Sequence, residues 1–230
     1  MTEPGGAKAE TMSRNISDKA YETLRDRIVN GGLRPSTPLD INRLATEFEM
    51  SVTPVRDAIK RLEADGLVEV IPRSGTFVRH FTLMDLIRGY ELVEALDGMA
   101  GYLLAERVAA GDVEGPDLEA LLMPLIDRME ENLAQDQARA WADLDRQFHQ
   151  IIFDMSENSL IASNYYSVRD QMRSVLSFIS PVYVDRANSV REHRLIVAAI
   201  AAGDSEKARN LCQNHRNLVR QILKKLLLQM

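Results

Sequence analysis

Apolar residues recur along most of this chain at the spacing of one buried helix face, and alternate like a strand in one place only. Tyr21, Leu24, Ile28 and Val29 predict a helix over residues 17–30, with Ser17 as its cap and Gly31-Gly32 as its stop. Pro35 and Pro38 keep the following link extended. Ile41, Leu44, Ala45 and Phe48 mark a second, short helix capped by Asp40. After only Glu49 and Met50, Ser51 stands as the cap of a third, with Pro54 in its first turn, where a missing N–H costs nothing. Val55, Ala58, Ile59 and Leu62 give that helix one apolar face at i, i+3, i+4, i+7. Residues 66–71 and 76–78 are strand-like on either side of the turn Pro72-Arg73-Ser74-Gly75. Two short helices across a tight turn, followed by a hairpin, predict a winged helix-turn-helix of three helices plus a β-hairpin wing over residues 15–80.

From Thr82 onward the pattern is helical throughout. Thr82 caps a long helix over 83–109, ended by Gly111-Asp112, and Gly115-Pro116 opens the next. Trp141, Leu144, Phe148 and Ile152 lie on a third over 138–155. A fourth covers about 158–179, interrupted by Pro181. A fifth covers about 185–202, closed by Gly203, and Ser205 caps a sixth that runs to the C-terminus. Six such helices predict an antiparallel all-α bundle over residues 81–230. Residues 1–14, with Gly5, Gly6 and no apolar period, are expected as a disordered tail. The fold class is therefore mainly α, in two domains.

Composition narrows the classes. Hydrophobic residues make up 45% of the 230 and charged residues 27%, ordinary values for a globular chain. No apolar run approaches the roughly 20 residues that span a bilayer. The N-terminus lacks a signal-peptide pattern, so the expectation is a cytoplasmic protein that meets no membrane. The single cysteine, Cys212, excludes an internal disulfide and a cysteine-based zinc finger. The net charge of −6 is uneven: residues 15–80 carry ten basic and ten acidic side chains, residues 81–230 sixteen and twenty-two. A neutral winged helix binds a polyanion weakly unless its bases share one face and two copies act together.

Two groups of residues carry candidate chemistry. The third helix presents Thr53, Arg56, Asp57 and Lys60 opposite its apolar face, which suits the major groove of double-stranded DNA. The expected DNA-contacting set is Ser51, Thr53, Pro54 and Arg56 there, Asn42 on the preceding helix, and Arg73, Ser74 and Gly75 at the wing. In the bundle, His149 follows Asp145 by four residues, so both lie on one helix face, while His193 and His215 lie on the fifth and sixth helices. One carboxylate and three imidazoles could converge on a divalent ion such as zinc, nickel or manganese. Spacing alone leaves open that these are unrelated core or solvated histidines.

The order GGLRPSTPL…LA…MSVTPVRDAIKRLEADGLVEVIPRSGTFV, over about residues 17–78, resembles the winged helix of GntR-type bacterial transcription regulators. The stretches DLDRQFH and REHRLIVAAIAAGDSEKARNLCQNH resemble the FCD effector domain, over about residues 83–226, of the FadR/VanR-like subfamily. The resemblance implies metal ligands at Asp145, His149, His193 and His215, and a homodimer built through the helical domain. Four positions depart from the usual pattern. Ser36 and Glu49 stand where glycine is common, Val52 where an arginine often contacts DNA, and Glu94 where an arginine often holds an anionic ligand. With Glu94 acidic, Arg169 and Arg173, one helical turn apart, are the remaining candidates for an effector carboxylate. The implied function is a homodimeric, ligand-responsive repressor on a palindromic operator, controlled by a small organic acid bound near the metal. A regulator that senses the metal itself is the alternative. A metalloenzyme is the remote one, since no separate general base is apparent and the winged helix would go unexplained.

Overall fold

The computed structural model describes residues 5–176 and 186–228. They form nine helices and a two-stranded antiparallel sheet, in two compact units. The first unit runs to Thr82 and takes in the end of the seventh helix from Arg169. The second starts at Leu83 and holds the remaining helical segments.

The first unit contains α1 (Gly5–Val29), α2 (Ile41–Glu47), α3 (Val52–Ala64), β1 (Val68–Ile71) and β2 (Gly75–Val78). Leu24, Ile28 and Val29 of α1 join Leu44 of α2, Val55, Ile59 and Leu62 of α3, and Val68 and Val78 of the hairpin in one core. Each fully buried aliphatic side chain there is worth about 1.5–3 kcal/mol. Asp40 caps α2, its carboxylate accepting from the Asn42 and Arg43 amides at 2.9 and 3.1 Å. Ser51 occupies the cap position of α3 in extended backbone, but its side chain makes no capping bond, contrary to expectation. The turn between the helices needs Glu49 at φ 55°, and Ser36 sits at φ 63°. Both therefore hold left-handed backbone, the region that favours glycine, which accounts for the expectation of glycine at these two positions.

The hairpin pairs Val68 with Val78 and Ile71 with Gly75. The link expected as merely extended adds to this sheet: Leu39 donates to the Thr76 carbonyl at 2.8 Å, Ser36 to Val78 at 2.8 Å, and Val78 back to Thr37 at 2.9 Å. Pro38 bridges to Phe77 on that edge. Helix α1 differs from its prediction at its start. It begins at Gly5, so most of the expected tail is helical, in keeping with the strong helix formers at Ala7, Lys8, Ala9, Glu10 and Met12. At the other edge of the unit, Arg25 clasps Asp170 with Nε at 2.6 Å and a terminal nitrogen at 2.5 Å. Gln171 donates to the Asp65 carbonyl at 2.8 Å.

The second unit contains α4 (Leu83–Ala110), α5 (Gly115–Ala134), α6 (Ala138–Met155), the first part of α7 (Ser159–Leu176), α8 (Arg186–Ala201) and α9 (Ser205–Leu227). Six helices were expected here, with bounds close to these. Pro181, the predicted break, and Asp185 lie outside the described residues. Asp204 rather than Ser205 supplies the capping side chain of α9, accepting from the Lys207 amide at 3.1 Å. The core is built from Leu104, Leu118, Leu122, Ile126, Met129, Phe148, Phe153, Ile196 and Ile200. Helices α4 and α9 lie unusually close because α4 carries Gly98 and Gly101 on its inner face: a Cβ on Gly101 would stand 2.6 Å from Cys212 Sγ. Burial pushes the Cys212 thiol far above its ordinary range, so it packs as a neutral small group. This close approach sets Asp97 of α4 against Arg216 of α9.

Candidate metal centre and nucleic-acid interface

Helix α6 turns Asp145 and His149 toward the inside of the second unit, α8 brings His193 and α9 brings His215. One donor atom from each lies within 4.8 Å of all the others. His193 Nε2 is 3.2 Å from His215 Nε2 and 3.4 Å from Asp145 Oδ1, and His149 Nε2 is 3.8 Å from the same oxygen. Imidazole and carboxylate donors at about 2.0–2.2 Å from one ion stand roughly 3.0–3.5 Å apart when adjacent. These three separations match that to within a few tenths of an ångström, and the remaining pairs lie within 4.8 Å.

The chemistry of the donors fits as well. His193 is fully buried, and His149 and His215 nearly so. His149 Nε2 is buried without a hydrogen-bond partner among the described residues. A buried polar atom in that condition costs free energy that a bound ion would recover. The surroundings also keep rings neutral, as donation requires. Burial, then the positive Arg216, holds His149 below its ordinary pKa against the pull of Asp97. Burial, then the His215 and His149 rings and Arg216, holds His193 well below its own.

Outside the four donors stand groups that the sequence reading did not single out. His149 Nδ1 faces Asp97 Oδ1 at 3.3 Å, and Asp97 Oδ2 accepts from Arg216 Nε at 2.5 Å. Burial raises the Asp97 pKa, but Arg216 and His149 outweigh it and bring the carboxyl down to about 2. His215 Nδ1 donates to Glu192 Oε2 at 2.7 Å, and Asn188 donates to the other Glu192 oxygen at 2.7 Å. Asp97 carried a signal in the sequence: it is a lone acid among Val93, Ala100 and Leu104 on the core face of α4. Glu192 carried none, because its partner is twenty-three positions away.

Arg169 and Arg173, the candidates for an effector carboxylate, fall in the first unit, whereas the donor cluster belongs to the second. Arg173 donates to Asn30 at 2.8 Å, and Arg169 lies 3.4 Å from Asp170. Glu94 pairs with Arg220, whose Nε stands 3.0 Å from Oε2 but out of hydrogen-bond line.

On the first unit, Ser51, Thr53 and Arg56 of α3, Asn42 of α2 and Arg73, Ser74 and Gly75 of the wing are all exposed. Pro54 is buried. It shapes the first turn of α3 and does not offer itself to a partner, which corrects its place in the expected contact set. At the wing tip, Ser74 donates to Ile71 across a turn with Pro72 second and Arg73 third, and Arg73 is held at φ 66°. Such a turn favours glycine at that position, so an arginine there is displayed at a conformational cost.

An exposed helix-turn-helix with a wing, joined to a helical domain enclosing a polar cluster, is the make-up of a transcription regulator. Residues 16–78 match the family of bacterial regulatory proteins called gntR, and residues 85–218 match the FCD domain. The chain belongs to the GntR family of DNA-binding transcription regulators, in its FCD-bearing, FadR/VanR-like branch. It is 28% identical over 202 residues to a Paenarthrobacter nicotinovorans protein named "Probable D-xylose utilization operon transcriptional repressor", covering 87% of this chain and 85% of that one. Among solved structures, McbR/YncC of E. coli shares the fold with a TM-score of 0.70 at 21% identity, over 92% of this chain and 98% of its own. A GntR regulator from Rhodococcus sp. RHA1 does so with a TM-score of 0.67 at 23% identity, over 90% and 97%. The relatives it matches are themselves named as transcription regulators. No helix among the described residues is long and apolar enough to cross a membrane.

Proposed function

We propose that this chain is a homodimeric repressor whose operator affinity is set by a small organic acid, bound beside a divalent metal ion held by Asp145, His149, His193 and His215. The observation that carries this reading is the convergence of those four donors within 4.8 Å inside a regulator's second domain. Three imidazoles and one carboxylate suit zinc, nickel or manganese. When bound, such an ion supplies positive charge and, if it takes more than four donors, open positions for a carboxylate. Within the second unit, Arg216, already against Asp97, is the cation beside the cluster that could meet an anion. On the DNA side, Arg56 reads a base or holds a phosphate, Ser51, Thr53 and Asn42 support it, and the wing adds Arg73, Ser74 and Gly75. An apolar stripe on α4, with Leu92 and Met99 exposed one above the other, supports pairing of two copies through the helical domain. Two recognition helices would then meet a palindrome about one DNA turn apart or slightly less.

The test is operator binding by fluorescence anisotropy, with the protein stripped of metal, reloaded with zinc, nickel or manganese, and reloaded in the presence of a panel of small carboxylic acids. Affinity that changes only when an acid is added to the loaded protein supports the reading. A change on reloading alone makes the metal the signal. No change in any arm defeats both. Sedimentation of the same samples gives the oligomer, and a monomer with full operator affinity removes the dimer.

A further inference from the structure

The three imidazoles of the cluster are not equivalent, and the difference lies in what their far nitrogens touch. His215 Nδ1 is 2.7 Å from Glu192 Oε2, close enough for the carboxylate to keep a proton on that nitrogen. His149 Nδ1 is 3.3 Å from Asp97 Oδ1, and Asp97 is itself fastened at its other oxygen by Arg216 at 2.5 Å. His193 Nδ1 is buried with no hydrogen-bond partner among the described residues. Its ring is held by packing, with the Phe148 centroid 4.2 Å away.

A neutral imidazole carries one proton, so a carboxylate that fixes it on Nδ1 leaves the Nε2 lone pair pointing the other way. For both His149 and His215 that other way is into the cluster, where His149 Nε2 stands bare and His215 Nε2 faces His193. Neither carboxylate is among the four donors. Both are fixed from behind: Asp97 by Arg216, Glu192 by Asn188 at 2.7 Å.

We propose that Asp97 and Glu192 are the positioning residues of the metal centre, each setting the proton and ring orientation of one imidazole so that its Nε2 is presented to the ion. Outer partners of this kind orient a ligand and strengthen it as a donor, and losing one typically lowers metal affinity about 10–100-fold. Among the described residues His193 Nδ1 has no such partner, so only two of the three rings are braced by a carboxylate. This inference rests on the metal-binding reading above and adds to it the residues that tune the site.

The experiment uses the full-length protein, stripped of metal, with cobalt(II) as the probe and a chromophoric chelator as competitor. Glu192 carries the variant series because removing Asp97 would leave Arg216 buried beside an absent partner. Glu192→Ala is expected to weaken cobalt binding about 10–100-fold, and Glu192→Asp to recover part of it. In the metal-free protein, ¹⁵N spectra of the histidine rings should show His149 and His215 protonated on Nδ1, and Glu192→Ala should lose that preference at His215 alone. The ring spectra are the readout that a merely structural role would not move. A His149 ring protonated on Nε2 in the parent overturns the role of Asp97. Parent binding matched by Glu192→Ala overturns the role of Glu192 and leaves the function proposed above intact. A parent that takes up no cobalt overturns that function, and this inference with it.

Discussion

Replacing His193 by alanine separates a metal centre from a mere cluster of buried polar groups. The ring is fully buried and contributes the donor nearest to two others, at 3.2 Å from His215 and 3.4 Å from Asp145. An ion that binds only the folded state at a hundred times its Kd stabilises it by about 2.7 kcal/mol. In a chain of this size about 1 kcal/mol moves Tm by roughly 2–4 °C, so the metal-dependent rise should be about 5–11 °C in the parent. The variant keeps three donors and should lose most of that rise. Without metal the two proteins should melt closer together. The cavity left by the ring costs stability, whereas removal of the unpartnered Nδ1 relieves a desolvation penalty. The assay is a thermal melt of each protein in chelator and in excess zinc, with elemental analysis of the same preparations. A variant as metal-rich as the parent, with the same metal-dependent rise, would falsify the four-donor centre.

The remaining expectations concern acid, DNA and the turn. His149 and His193 are held below the ordinary histidine value, so the unfolded chain binds more protons than the folded one once pH falls below about 6.5. The metal-free protein should therefore lose stability on acidification from that point, by up to about 1.4 kcal/mol per pH unit for each ring, until the folded-state values are reached. Denaturant melts in chelator that are flat between pH 7 and 5 would contradict this. Arg56→Ala should weaken operator binding by about 1–3 kcal/mol if Arg56 reads a base, and an unchanged gel-shift titration at fixed salt removes it from the interface. Glu49→Gly should raise stability by up to about 1 kcal/mol, because relief at φ 55° outweighs the extra freedom of an unfolded glycine. A lowered Tm would show that the Glu49 side chain does more than occupy the turn.

Local order was legible wherever one short stretch carries its own cause. The apolar period of α3, the Asp40 cap and the glycines after α1, α4 and α8 each act over a few residues, and the helices of the second unit fall within a few positions of their predicted bounds. The donor set was legible in residue type: Asp145 and His149 share a helix face by spacing alone. What spacing could not say is that α8 and α9 would bring His193 and His215 to the same point. That depends on the approach of α4 to α9 across Gly98 and Gly101, a contact between residues more than a hundred positions apart.

The same division accounts for the misses. Ser51 is a good cap by type, yet whether its hydroxyl turns to an amide or outward depends on what surrounds the first turn. Residues 36–39 join the wing because β2 offers an open edge, which no pattern within those four residues reveals. Arg169 and Arg173 are alike by type as candidates for an effector carboxylate, and only folding sets them beside Asp170 and Asn30. The sequence by itself determined the helices, the winged motif and which residue types could serve as donors, because periodicity, capping and residue chemistry are properties of short segments. The tertiary structure alone decided which carboxylates stand behind His149 and His215, and which arginine stands by the cluster, because hydrogen bonds across 2.5–3.3 Å between distant segments exist only once the helices are packed.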